Sequence, residues 1–177
     1  MSIAAPPPSP SVSADNPVIV ARTLWGEARG EGLDGIKAVA AVIANRARAA
    51  ARYRSRYNHL HPQYGDGTLA SACQVSNRGT WQFTCWSPAD PNRAKMLAVT
   101  EADAIFASCL EIAKTAIVGQ LPDPTGGAIN YLDPDTTLKL YGHLPGWAST
   151  MRQTARIGRH AFYIDGPKVP PASGAKA

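Results

Sequence analysis

Residues 24–46 read LWGEARGEGLDGIKAVAAVIANR, and the pattern of this stretch decides the fold. Two charged, glycine-punctuated turns carry Glu27 and Glu31. They run straight into a segment where Ile36, Val39, Ala40, Val42 and Ile43 recur at near-helical spacing, with alanines filling the gaps. A helix that apolar must be buried, so it is expected to form the centre of the core. A carboxylate delivered beside a buried helix sits where its charged form is disfavoured and acid chemistry becomes available. Glu27 is therefore the first candidate for chemistry.

On the N-terminal side, Asn16-Pro17 reads as a helix cap followed by the first helical position. The spacing predicts a helix from Pro17 through Val18, Ala21, Leu24, Trp25 and Ala28, ending near Gly30 or Gly32. On it Glu27 and Glu31 stand four residues apart on one face. Mutual repulsion and the negative end of the helix dipole are then expected to favour a protonated carboxyl, which makes both acids catalytic candidates. On the C-terminal side the core helix is expected from about Asp34 to about Arg52. Its exit carries Arg46, Arg48, Arg52, Arg54 and Arg56, mixed with Tyr53 and Tyr57. That run reads either as a solvated, dipole-matched helix end or as a basic patch facing substrate. Asn45 is placed to cap or to bond within the core.

Further out the signals thin. Residues 58–90 are irregular, with a short helix near Thr68–Cys73 and an aromatic cluster of Trp81, Phe83 and Trp86. Phe83 reads as core; Trp81 and Trp86 read as core plugs or as a platform for stacking sugars. A short helix at 91–98 is followed by Thr100-Glu101-Ala102-Asp103, which has the form of a capping box. It opens a helix running to Gly119. Ala128 to Leu132 and residues 155–164 are the two strand candidates, able to pair as a small sheet. The Pro/Ala/Ser-rich residues 1–15 and residues 166–177 are expected to be disordered tails around one catalytic unit, 16–165.

The chain's 177 residues suit a single domain. Hydrophobic residues make up 45% and charged ones 18%, which excludes a disordered chain. No apolar run approaches the roughly 20 residues that span a bilayer, so stable membrane insertion is not expected. The opening MSIAAPPPSPSVSADN shows neither a basic n-region nor an apolar h-region, so no secretory signal is read there. A formal charge of +5 favours an anionic partner, with nucleic acid, anionic lipid and wall polymers all eligible. Of three cysteines, Cys73 and Cys85 lie near enough in sequence to bridge, while Cys109 falls in an apolar helix; a reduced chain is the simpler reading.

The string WGEARGE-xx-DG-xx-AVAAVIANR resembles the SleB-type cell wall hydrolases, the spore cortex-lytic enzymes. QFTCW at 82–86, TGGAINYLDP at 125–134 and PGWASTMRQTARIGRHAFY at 145–163 are similar to blocks of that family in the same order. The resemblance covers about residues 17–164. It implies an α+β, mainly α-helical, lysozyme-like domain with a small antiparallel β-sheet. It also implies a lytic transglycosylase or muramidase that cleaves peptidoglycan between N-acetylmuramic acid and N-acetylglucosamine, with Glu27 as acid/base. A two-carboxylate hydrolase needs a second acid about 5 to 9.5 Å away, and Glu31 is the nearest in sequence. A transglycosylase needs one. Gln82, Trp86 and Tyr131 are the expected substrate contacts, Gln82 and Tyr131 because an amide and a phenol can bond sugar hydroxyls. A monomer without cofactor or metal is expected. A short, basic chain of this kind resembles a phage endolysin held in the host cytoplasm until release to the wall.

Two rivals remain at this stage. A zinc amidase or peptidase would draw ligands from His59, His61, His143 and His160, although no H-E-x-x-H helix is present. A non-enzymatic nucleic-acid binder would be built on Arg46–Arg56, although no known binding motif surrounds that run, and nucleic acid is not the expected partner.

Overall fold

A computed structural model of the chain describes residues 15–165. Apart from Asp15, the tails expected at 1–15 and 166–177 lie outside the described residues. Helix α1 (Pro17–Ala28) starts as its sequence requires: Asn16 is extended, and its side-chain oxygen accepts from the Val18 and Ile19 amides. Helix α2 (Gly32–Tyr57) continues five residues beyond the expected end at Arg52. Alanine and arginine are both strong helix formers, so nothing stops it until Asn58 turns left-handed (φ 53°) and its N–H caps the Arg54 carbonyl.

The near-continuous apolar character of α2 has a direct cause. Ile36, Val39, Ala40 and Ile43 join Val20 and Leu24 of α1 in the main core, whereas Ala38 and Val42 pack against Ala128 and Phe162 of the sheet layer. The helix is sandwiched, so it lacks a long polar stripe until its C-terminal turns. Helix α3 (Leu69–Gln74) begins on a Thr68 cap. A hairpin of β1 (Ser76–Asn77) and β2 (Thr80–Trp81) precedes a single 3-10 turn, Thr84–Trp86. Two-residue strands carry no readable alternation, which is why this hairpin is absent from the sequence reading. Helix α4 (Arg93–Ala98) lies where expected. Helix α5 (Ala104–Ile117) is capped by Asp103, whose Oδ1 accepts from the Ile105 and Phe106 amides at 2.9 Å each; the expected start at Thr100 is corrected by three residues.

The C-terminal third departs further from expectation. After β3 (Asn130–Leu132) come α6 (Pro134–Tyr141) and α7 (Gly146–Thr150), neither of which the apolar periodicity signals. Helix α6 buries no residue and α7 buries only Ala148, so there is no stripe to read. The Asp133-Pro134 cap of α6 nonetheless repeats the Asn16-Pro17 logic. The single strand expected at 155–164 is two: β4 (Arg152–Ile157) and β5 (His160–Ile164), joined through Gly158 at φ 57°. The antiparallel sheet has the order β3-β5-β4 and sets Tyr131 opposite Phe162. This is a mainly helical α+β domain with a small sheet laid against its core helix.

All three cysteines are free and buried, so Cys73 and Cys85 are not bridged. Burial pushes the Cys73 and Cys109 thiols up to about 12 and raises Cys85 as well, leaving all three protonated and unreactive at neutral pH.

Candidate active site

Glu27 projects from the last turn of α1, where two distant segments reach it. The Cys85 amide, in the 3-10 turn, donates to Glu27 Oε1 at 3.3 Å. The Tyr131 hydroxyl, from the middle of β3, donates to Oε2 at 3.2 Å. Each carboxylate oxygen thus has one donor from a different element. Gly26 makes the first contact possible: a Cβ at that position would lie 2.7 Å from Cys85 Cβ, closer than side-chain carbons approach. The glycine beside Glu27 is therefore clearance for the turn that binds the carboxylate.

Tyr131 is oriented from behind. Its ring meets His160 edge-on at 5.0 Å and lies 5.8 Å from Phe162. Burial, together with the Glu27 charge, pushes its phenol well above the ordinary tyrosine value, so it remains an O–H donor. Burial also lowers His160, against the pull of the Glu31 and Asp133 carboxylates, which favours its neutral form.

Glu31 does not sit beside Glu27 on α1. That helix ends at Ala28, and Glu31 occupies the cap position of α2. Its carboxylate accepts from the Arg159 backbone N–H at 3.0 Å, from Nε at 2.8 Å and from Nη2 at 2.5 Å. The Glu31 side chain is 3% exposed while that of Arg159 is 67% exposed. Burial alone would raise this carboxyl, but the Arg159 hydrogen bonds and charge outweigh it and hold Glu31 below the usual value. The expectation of a Glu31 carboxyl raised by repulsion from Glu27 is corrected: the chain turns after Ala28, and an arginine neutralises the second acid. The pair fastens the α1–α2 junction to the β4–β5 turn. A side chain at Gly158 would place its Cβ 2.7 Å from Glu31 Oε2.

The expected substrate contacts separate. Tyr131 reaches Glu27. Gln82 is half-buried on the segment leading into the 3-10 turn, its main-chain N–H donating to the Val75 carbonyl at 3.1 Å. Trp86 is 6% exposed, and its indole N–H donates to Thr23 Oγ1 at 2.9 Å, so it packs the core and offers no open face to a sugar. Phe83 is core, as expected.

Sequence reasoning missed the Cys85 amide, because a backbone donor leaves no residue-type signature. Of the two readings of the arginine run, the solvated helix end does not hold for Arg46, which is 5% exposed, with the Phe83 ring 4.9 Å from its guanidinium carbon. Its Nε donates to the Ile129 carbonyl at 2.7 Å, two residues before Tyr131. Asn45 bonds Asp123 and the Ala128 carbonyl, both at 2.9 Å, so α2 grips the segment leading into β3 at two successive residues.

Among the described residues no three His, Cys, Asp or Glu side chains converge as a metal site would require. His61 uses Nδ1 to accept from the Gln63 and Tyr64 amides. A groove of ≈ 600 Å³ between α2 and α5, lined by Lys37, Ile112, Leu121, Pro122 and Ile157 among others, does not include Glu27.

The chain is similar to known proteins in sequence and in fold. The family model described as Cell Wall Hydrolase matches residues 30–163. A spore cortex-lytic enzyme of Oceanobacillus iheyensis is 31% identical over 144 residues, covering 81% of this chain and 40% of that protein. A second, from Halalkalibacterium halodurans, is 30% identical over 156 residues, covering 86% and 36%. The chain thus spans about two-fifths of the length of these relatives. Among solved structures, the catalytic domain of the germination-specific lytic transglycosylase SleB from Bacillus anthracis matches with a TM-score of 0.53 at 27% identity, over 88% of this chain and 99% of that one. The catalytic domain of the Bacillus cereus SleB protein matches with a TM-score of 0.54 at 26% identity, over 88% and 94%. With the helical core, the small sheet and the family match all in agreement, the chain belongs to the SleB-type cell wall hydrolase family.

Proposed function

We propose that this chain is a lytic transglycosylase cleaving the β-1,4 bond between N-acetylmuramic acid and N-acetylglucosamine in peptidoglycan, with Glu27 acting first as acid and then as base. The observation that carries the reading is the environment of that one carboxylate. As Glu27 gives its proton to the departing N-acetylglucosamine oxygen, negative charge develops between two donors already in place, the Cys85 N–H and the Tyr131 O–H. The carboxylate then takes the proton of the muramic 6-hydroxyl as that oxygen bonds to the anomeric carbon, closing a 1,6-anhydro ring and restoring Glu27. No water is consumed and no second acid is required.

Glu31 favours this route over two-carboxylate hydrolysis. Three hydrogen bonds from Arg159 make it a positioning residue, unsuited to activating a water. Mass spectrometry of fragments released from purified sacculi tests the point: anhydro-muramic termini are expected, and reducing termini would mean hydrolysis. A bare stem peptide would mean the wrong bond. Gln82 remains a proposed contact to an N-acetyl group. The narrower reading of a phage lysin held in the host cytoplasm draws support from the chain's basic charge. Lysis only when a membrane-permeabilising protein is co-expressed is the expected result.

A further inference from the structure

The arginines beyond the site remain unexplained by this chemistry. Between Asp34 and Asp66 the sequence has no acidic residue but has Lys37, Arg46, Arg48, Arg52, Arg54 and Arg56. Arg46 is buried at the site and Arg48 bonds the Asn45 side chain. Arg52 and Arg56 are exposed one turn apart on α2. Among the described residues, the carboxylate ion pairs within 4.0 Å use Lys114, Arg156 and Arg159, and none uses the arginines of α2. A helix C-terminus favours cations, but dipole matching needs no aromatic rings among them.

The rings here are ordered. Tyr57, 49% exposed, lies 4.7 Å from Tyr53 and has the Arg56 guanidinium 5.2 Å above it. Tyr53 in turn packs edge-on against His61 at 4.9 Å. An exposed ring braced by an aromatic neighbour and a cation keeps a fixed orientation, so stacking a sugar on its exposed part costs little ordering. Guanidinium forks match carboxylates. With a rise of about 1.5 Å per residue, Arg52 and Arg56 stand roughly 9 and 15 Å along the helix from Arg46.

We propose that the C-terminal turns of α2 form a second contact surface for peptidoglycan, apart from the cleavage site. Tyr57 lies under a sugar of the strand, while Arg52 and Arg56 pair with the carboxylates of its stem peptides. This rests on the proposed wall substrate and extends it: the enzyme holds insoluble polymer at a point it does not cut. Family membership and the ordered tyrosine favour a glycan over a nucleic acid for the same charges.

The test uses the full chain carrying Glu27→Gln, so that binding is read without cleavage, in co-sedimentation with purified peptidoglycan stripped of phosphate polymers. Adding Arg52→Glu and Arg56→Glu is expected to weaken pelleting by about tenfold or more, as is high salt for the parent. Arg52→Gln with Arg56→Gln, which avoids reversing charge at a helix end, should weaken it in the same direction, and so should Tyr57→Ala alone. In the Glu27 background the arginine pair should leave cleavage of short soluble glycan fragments within about twofold, because surface changes away from the site are small in effect. Unchanged pelleting by all three variants overturns the proposal while leaving the cleavage reading intact. Loss seen only on wall that retains phosphate polymers, or transfer of the effect to DNA in a gel shift, also overturns it. Cleavage that survives Glu27→Gln sinks the active-site reading separately.

Discussion

At the residue scale, Tyr131 and Glu31 take opposite parts around Glu27. Tyr131→Phe keeps the ring against His160 and Phe162 and removes only the hydroxyl that donates to Glu27. A lost hydrogen bond to a charged group is worth about 1.5–3 kcal/mol, so turnover on sacculi should fall roughly ten- to a hundredfold, alongside a modest drop in melting temperature that leaves the protein folded at assay temperature. Glu31 is read through acid stability. Its folded value lies below the ordinary 4.5, so its contribution is fully present above that pH and is lost as pH falls through the lowered value. Glu31→Gln should destabilise the protein at pH 7 and flatten the acid limb of a melting-temperature profile; an unaltered limb would detach Glu31 from the Arg159 clamp. The placement of Glu27 at a helix end beside an apolar run was legible. The sequence could not show that Glu31 answers to Arg159, because that contact joins residues 128 positions apart.

At the scale of elements, α1 and α2 were legible because burial writes a period into them, and α6, α7 and the β1–β2 hairpin were not, because they bury almost nothing. The 155–164 strand was legible in type, but its division depended on Gly158, whose left-handed φ only the fold reveals. Gly26 carries the corresponding prediction. Gly26→Ala would favour helix by roughly 1 kcal/mol from propensity alone. Its Cβ, however, would meet Cys85 Cβ at 2.7 Å and Sγ at 3.0 Å. The variant should therefore lose stability and lose activity out of proportion to it, as the 3-10 turn is pushed off Glu27. Thermal melts and sacculus clearing on one preparation would show this; a more stable, fully active variant would remove the clearance argument.

At the scale of the whole molecule, the fold carries the Cys85 turn and the β3 strand to one carboxylate on α1, across 58 and 104 residues of sequence. The thiols play no covalent part in holding this together: all three should resist alkylation in the native protein and react on unfolding, and reductant should leave activity unchanged. The order of the four sequence blocks made the family legible, and the helix period made the core legible. The donors to Glu27 were legible only in part, since one is a phenol within a block and the other a bare peptide N–H. The most direct measurement is the clearing of purified sacculi by Glu27→Gln, with circular dichroism confirming the fold. Clearing should fall by about a hundredfold or more, the usual contribution of a positioned general acid. Clearing at the parent rate by a folded Glu27→Gln protein would contradict the mechanism outright.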